Sequence, residues 1–398
     1  MVDDDVPRLE LHPSEVWPPS RLWSNGINIR ALWEVREVER KLVVALAIFG
    51  LMFAACGGTA PSTQASPTVA ASASAQATAT ESPDAVMARL YELAKAEKEV
   101  QIYSSMNADD GKKVFPKFEE KFPGVKVVHT RASGEVLTTK VVTEKKAGQD
   151  LFDLVESNLF EVGYIIDQGY TQKYIVASAG DYPAEVKDAS GAFIAARLNN
   201  DIPGINTTKL PAGVTIKTWK DLCNPALSGK IAVEQGDVVV YSAMRKILGD
   251  AEAQNVLKCI AANKPSLRSG HTDMANLLAA GEFAATLSSN GHRLAQLKNE
   301  ENKPITWAQT NPIITDVQGI ALANKPPHPN AAKLLMEWMT SIDGQKAIQS
   351  TGRVPANPKV PPKYPDLNNF APIFYVSLAL RADFDKDQAF WNSTLGVK

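Results

Sequence analysis

Between Glu99 and Gln168 the chain repeats a strand and then a helix three times, and this alternation narrows the fold more than any other feature. Val100–Tyr103 reads as a short apolar strand. A helix over 107–122 follows, with Asn107 as N-cap, Asp109 and Asp110 in its first turn, and Val114, Phe115, Phe118 and Phe122 on one face. Pro116 predicts a kink or a restart within it. Val125–His129 is a second strand, and Ser133 caps a helix carrying Val136, Leu137 and Val141. Phe152–Val155 is a third strand, and Leu159–Gln168 a third helix. Such a series implies a parallel sheet with helices on both faces, the α/β class.

A helix over Asp84–Lys98 precedes this unit, and an irregular part, about 169–220, rich in Asn, Pro and Gly, follows it. A second strand–helix set starts at Lys230–Glu234. It continues with helices over Val240–Leu248, Ala251–Ala262, Met274–Ala280 and His292–Lys298, and strands over Phe283–Leu287 and Gly319–Ala323. Asn330 is expected to cap a helix carrying Leu334, Leu335, Trp338 and Ile342, and Gln345–Gln349 ends at Gly352. The 398 residues suggest two domains. A net charge of −2 carries no basic excess, which argues against a nucleic-acid partner.

In open parallel sheets, ligands bind beyond the carboxyl ends of the strands. The first three such turns hold Ser104, Ser105 and Asn107, then Ser133, Gly134 and Glu135, then Ser157 and Asn158. Each sets hydroxyl or amide groups beside the free N–H groups of a helix N-terminus, which suits an anion. Read blandly, the same residues are only N-caps. The second half adds the turn 236–242, with Tyr241 and Ser242. No catalytic set emerges: there is no GxSxG elbow, no HExxH pair, no GxxxxGK[ST] loop and no GxGxxG after a strand.

Upstream, Leu42–Cys56 is a fifteen-residue apolar run behind Arg40 and Lys41, closed by small Ala54 and Ala55 before a cysteine. This is the tripartite form of a secretory signal over 38–55, and it is too short for the ~20 residues that cross a bilayer. Its end resembles the lipobox of bacterial lipoproteins, with Phe53 where leucine is usual. That resemblance implies lipidation of Cys56 and an extracytoplasmic, membrane-anchored chain. Residues 1–37 precede the signal, so Met1 is expected to be a misassigned start, with Val35 or Val38 the true one. Residues 57–83 are almost wholly Ala, Ser, Thr, Pro, Gly and Gln. They are expected to be a disordered tether reaching roughly 30 Å. With Cys56 so used, Cys223 and Cys259 are left for one disulfide or two buried thiols.

The segments VQIYSS, FEEKFPGVKV, RASGEVL, TWKDLCNPALSGKIAV, LLAAGEFAATL and NAAKLLMEWMTSIDGQKAIQSTGRVP, in this order between Glu99 and Pro358, resemble extracellular solute-binding proteins of ABC importers. Within family 1 of these proteins they are most similar to the ferric-iron-binding branch. The resemblance implies a two-lobed periplasmic-binding-protein fold, type II-like, with the ligand in the interlobe cleft. It implies one lobe from 84–204 with 312–355, and another from 205–311 with the tail 356–398. It also implies a monomer working with an ABC permease and ATPase, and no enzyme.

The ferric branch holds iron with two adjacent tyrosines, helped by a histidine and a glutamate. Here Gly291 and His292 stand at the tyrosine positions and Asn107 at the histidine, and only Glu135 is kept. Fe(III) prefers phenolate and carboxylate oxygen, so a metal held by Glu135 and His292 is the weaker expectation. A small anion or an anionic metal chelate on the serine-rich turns, Arg197 and Asn290 is the stronger one. Glu135 and Asp316 leave room for a cationic group on the same ligand. An altered ferric site and a sensing receptor uncoupled from transport remain the alternatives.

Overall fold

The computed structural model describes residues 81–397, so Cys56, the signal and most of the tether lie outside the described residues. The helix Pro83–Glu97 opens the fold, capped by Ser82 and buried through Val86, Met87, Leu90 and Ala94. β1 (Glu99–Ser104), β2 (Lys126–Arg131) and β3 (Leu154–Asn158) then alternate with helices Ala108–Lys121, Gly134–Lys146 and Leu159–Asp167. β2 and β3 lie on either side of β1 and parallel to it. Asn107 caps its helix by accepting from the Asp110 N–H at 2.8 Å. The helix runs through Pro116 without the expected restart.

After β4 (Thr171–Gln172), the irregular part resolves into 3₁₀ turns and a nine-residue strand, β5 (Ile194–Ile202), buried along its whole length. The chain then crosses at Pro203 into a second sheet. That sheet is built from β6 (Gly204–Asn206), β7 (Ile231–Glu234), β8 (Ser266–Arg268) and β9 (Ala285–Thr286). It crosses back for the short β10 (Ser289–Asn290), returns for β11 (Ile305–Trp307), and crosses again into the eleven-residue β12 (Ile313–Ala323). β13 (Val354–Pro355) and β14 (Ile373–Tyr375) complete the first sheet, beside β5 and β12 respectively.

The first sheet runs β10-β5-β12-β3-β1-β2, and the second runs β11-β6-β9-β7-β8. Each is flanked by helices and has its own apolar cluster, around Phe118 and Trp338 in one and around Leu257 and Trp391 in the other. The fold is therefore two-lobed α/β, with β5 and β12 as the long antiparallel pair from which the chain passes between lobes. Two sequence expectations change. β12 begins six residues before the expected Gly319. Asn330 is not the cap, because the helix starts at Pro329 behind His328; the Asn330 amide instead donates to Glu97.

Cys223 and Cys259 are joined as a disulfide, with Cα atoms 5.2 Å apart. It ties the Trp219–Cys223 turn to the helix Asp250–Ala262. Among the described residues no helix is long and apolar enough to cross a membrane.

Candidate functional site

Side chains alternate across a strand, and directly paired residues share a face. Asn199 pairs with Asp316 and Asp201 with Ile314, while Asn290 pairs with Asp201 from the other side. One face of the crossing strands therefore carries Asn199, Asp201, Asn290 and Asp316. It adjoins the three strand-end turns of the first sheet.

Those turns converge. A Cβ placed on Gly134 would meet Glu161 Oε1 at 2.7 Å and Ser157 Oγ at 2.9 Å, so only glycine lets the second and third turns close this tightly. Gln318 Nε2 donates to Asn158 Oδ1 and to Asp316 Oδ2, both at 2.7 Å. Ser105 Oγ donates to Gln318 Oε1 at 3.3 Å and accepts from Arg197 Nη2 at 3.2 Å. Ser105, Asn158, Arg197 and Asp316 thus share one network through Gln318, which the sequence reading had not singled out.

The network leaves acceptors unused. Among the described residues, Asp316 Oδ1, Glu161 Oε2 and Ser157 Oγ are buried without a hydrogen-bond partner. Burial pushes Glu161 up to about 7. Burial, then the charges of Asp201 and Glu161, hold Asp316 well above the usual carboxylate range. Asp201 is pushed up to about 8, by burial first and then by Asp237.

The second sheet presents its own strand ends. Glu234 closes β7, Asp237 is the N-cap of the helix Val238–Leu248, and His271 opens the helix His271–Ala280 after β8. Their ligand atoms all lie within 4.8 Å of one another. Burial works against the charge on His271, but Asp237, Asp201 and Glu234 outweigh it and push the imidazole up to about 10. Glu234 is raised by burial and by Asp237.

Several expected ligands are placed elsewhere. Arg197 is 1% exposed and its Nε lies 3.0 Å from Glu156 Oε1, so its charge is spent inside the first lobe rather than offered to an anion. Tyr241 is buried against the ring of Phe390, 5.5 Å away, and Ser242 Oγ donates to Asp387 at 2.6 Å. Both anchor the C-terminal helix Phe384–Leu395 because they fall on the inner face of their own helix. In the same turn Asp237 is the side chain that faces His271 and Glu234. Ser104 is buried and donates to Glu156 at 2.5 Å, and the Asn107 carbonyl is taken by its cap. Ser133 and Glu135 are exposed.

Among the described residues, Glu135 and His292 belong to no group of three close metal-ligating side chains; Glu135 is exposed, whereas His292 is buried. Burial, then Arg353 and Arg197, hold His292 well below its ordinary value. The missed residues are Glu161, Asp201, Glu234, Asp237, His271 and Gln318. The Asn199-Asn200-Asp201 run inside an otherwise apolar stretch was the available signal for the crossing strand.

The profile of the bacterial extracellular solute-binding proteins matches residues 113–372. No protein of curated function matches the sequence. Among solved structures, iron-bound HitA from Pseudomonas aeruginosa is similar at a TM-score of 0.66 and 18% identity, over 74% of this chain and 99% of that one. The substrate-binding protein of an ABC transporter from Agrobacterium tumefaciens gives 0.67 and 13%, over 75% and 94%. AfuA from Actinobacillus pleuropneumoniae, with fructose-6-phosphate bound, gives 0.65 and 18%, over 75% and 99%. At these identities the structures speak to the fold alone.

Proposed function

We propose that this chain, which belongs to the bacterial extracellular solute-binding proteins, captures a small solute bearing a positively charged group between its two lobes. Proteins of this family bind small ligands outside the cytoplasmic membrane and work with an ABC permease and ATPase; they are binders, not enzymes. On this reading the lobes, 84–204 with 312–355 and 205–311 with 356–398, close about β5 and β12, with the strands Ser289–Asn290 and Ile373–Tyr375 of the second group pairing into the first sheet. Hinge closure around a ligand is the motion such a pair of crossing strands permits.

The observation that carries the ligand class is the pair Asp201 and Asp316 on one face of the crossing strands. Both are buried, and Asp316 Oδ1 has no partner among the described residues. Burial outweighs the nearby charges of His271 and Arg197 and raises both carboxyls, and a ligand cation would favour their ionised form. The anion first expected has lost its main support, since Arg197 is paired with Glu156. The iron of HitA and the sugar phosphate of AfuA show that a similar fold accepts very different cargo.

The reading includes anchoring by lipid on Cys56, supported by the signal-like run before it, and a monomer in solution. Native mass spectrometry of the full chain as isolated tests the whole. A co-purifying basic solute lost on Asp316→Asn supports the reading. A co-purifying anion unaffected by that change overturns it. A Cys56→Ala chain released from the membrane supports the anchor, and one retained there overturns it.

A further inference from the structure

We infer that Glu234, Asp237 and His271, at the strand ends of the second sheet, form a site for a divalent transition-metal ion. This rests on the reading that the cleft takes positive charge, and it names the carrier of that charge.

The three residues come from separate turns. β7 and β8 are parallel neighbours, paired from Ala232 with Ser266 to Glu234 with Arg268, so the turns that follow them open side by side. Glu234 and Asp237 come from the first turn, and His271 from the second. β9 runs parallel to β7 on its other side and delivers Ser288 to the same edge. Ligands sit beyond the carboxyl ends of parallel strands, and this is that place in the second lobe.

The spacing fits one ion. Asp237 Oδ1 and His271 Nε2 are 3.0 Å apart. In an octahedral shell, two ligand atoms about 2.1 Å from a metal and at right angles to one another lie about 3.0 Å apart. The third ligand atom lies within 4.8 Å of both, within reach of the same ion after a small side-chain adjustment.

Each carboxylate is already oriented. Glu234 Oε2 accepts from the Gly236 N–H at 2.6 Å, and its Oε1 from the Gly270 N–H at 3.1 Å. Asp237 Oδ2 accepts from Ser288 Oγ. Asp237 holds a helix N-cap position yet makes no capping hydrogen bond; its oxygens face Ser288 and His271 instead. Such outer hydrogen bonds are what fixes metal ligands in place.

A second, independent observation comes from the crossing strands. Asp201 is 6% exposed, and its carboxylate accepts no side-chain or backbone hydrogen bond among the described residues. Asp201 pairs across the strands with Asn290, two residues beyond Ser288, whose hydroxyl donates to Asp237. Glu234, Asp237 and Asp201 thus set three carboxyl groups around one imidazole, an excess of oxygen donors that a divalent ion would satisfy. One imidazole and two carboxylates form a borderline donor set, suited to Zn²⁺, Fe²⁺ or Mn²⁺ rather than to Ca²⁺, and leave coordination positions open to a further ligand. The set is distinct from the tyrosine-based ferric one, whose positions here are Gly291 and His292.

The test uses the full chain in detergent, stripped with EDTA and titrated with ZnCl₂ and MnCl₂ by calorimetry, with native mass spectrometry for stoichiometry. One ion per chain is expected. His271→Ala and Glu234→Gln are expected to weaken it at least tenfold each with unchanged circular dichroism, and exposed Glu185→Gln to leave it unchanged. Metal binding unaltered in the two site variants overturns the inference, as does no metal binding at all. In the latter case 1,4-diaminobutane separates the two readings. If that diamine binds and is lost on Asp316→Asn, the metal site falls and the cation-binding cleft stands. If neither binds, both fall.

Discussion

Asp201 and Asp316 stand on neighbouring antiparallel strands with their side chains on one face, Asp201 opposite Ile314 and Asp316 opposite Asn199. Burial and the charge of Asp201 hold the Asp316 carboxyl well above its ordinary range, so the empty cleft disfavours a second negative charge. Two buried carboxylates this close are unfavourable without a cation between them. Asp316→Asn should therefore raise the melting temperature of the ligand-free chain while weakening a bound cationic solute roughly tenfold to a hundredfold. Calorimetric binding and thermal scans on the same variant check both signs. A fall in both quantities would give Asp316 a purely structural role.

Glu161 supplies a pH dependence of the fold itself. Its carboxyl is pushed up to about 7 by burial. A group whose folded value is raised adds stability that is complete below its unfolded value, near 4.5, and is lost as pH rises through about 7. The chain should thus lose roughly 1–2 kcal/mol between pH 4.5 and 8 from this residue, allowing for its partial exposure. Glu161→Gln should flatten that part of the profile and be the more stable protein at pH 8. Urea unfolding across the range checks it.

What could be read from the sequence follows from how residues are buried. The strands and helices around β1 to β3 are legible because they face an apolar core on a regular period, as at Val114, Phe115 and Phe118. β5 is not, because Arg197, Asn199, Asn200 and Asp201 break the apolar run while still being buried. Their burial depends on partners more than a hundred residues away, such as Thr315 Oγ1 donating to Asn200. For the same reason Arg197 read as a free cation, since its partner Glu156 is 41 residues away in the sequence, on a different strand. The strand-end rule pointed to Gly134, Ser157 and Asn158, which lie at neighbouring turns. In the second lobe it pointed to the turn at 236–242, but the helical face that buries Tyr241 and Ser242 is set by the C-terminal helix, out of reach of local patterning.

Gly134 offers a test of how tightly the turns close. Its buried position puts a new Cβ against Glu161 and Ser157, with no flexible chain end to yield on the Ser157 side. Gly134→Ala should cost roughly 1–3 kcal/mol through overpacking and should loosen ligand binding together with it. Chemical unfolding and calorimetry on one preparation read both. An unchanged stability would mean that the turns are farther apart in solution.

Arg197→Ala separates a structural cation from a ligand-binding one. Arg197 and Glu156 are both essentially inaccessible, at 1% and 0% exposure, and removing one leaves the other buried and unpaired. A loss of about 3–5 kcal/mol of stability is expected. Arg197→Met combined with Glu156→Leu should recover much of it, because replacing both charges with apolar groups removes the desolvation cost as well as the attraction. A single variant with full stability and weakened anion binding would return Arg197 to the ligand site.

The disulfide Cys223–Cys259 closes a separation of 36 residues that contains β7 and the helix Val238–Leu248, the element carrying Asp237 at its N-terminus. Restricting the unfolded chain over a loop of that length is worth about 3–4 kcal/mol. The bond joins the Trp219–Cys223 turn to the back of the second lobe through the helix Asp250–Ala262, where Leu222, Val256, Leu257 and Ile260 are buried. Cys223→Ser with Cys259→Ser should therefore lower the unfolding free energy from denaturant titration by that amount while leaving ligand and metal affinity within a factor of a few. The bond holds the packing behind the strands, whereas the polar groups stand at their carboxyl ends. Equal losses of stability and affinity would instead couple the bond to the position of Asp237.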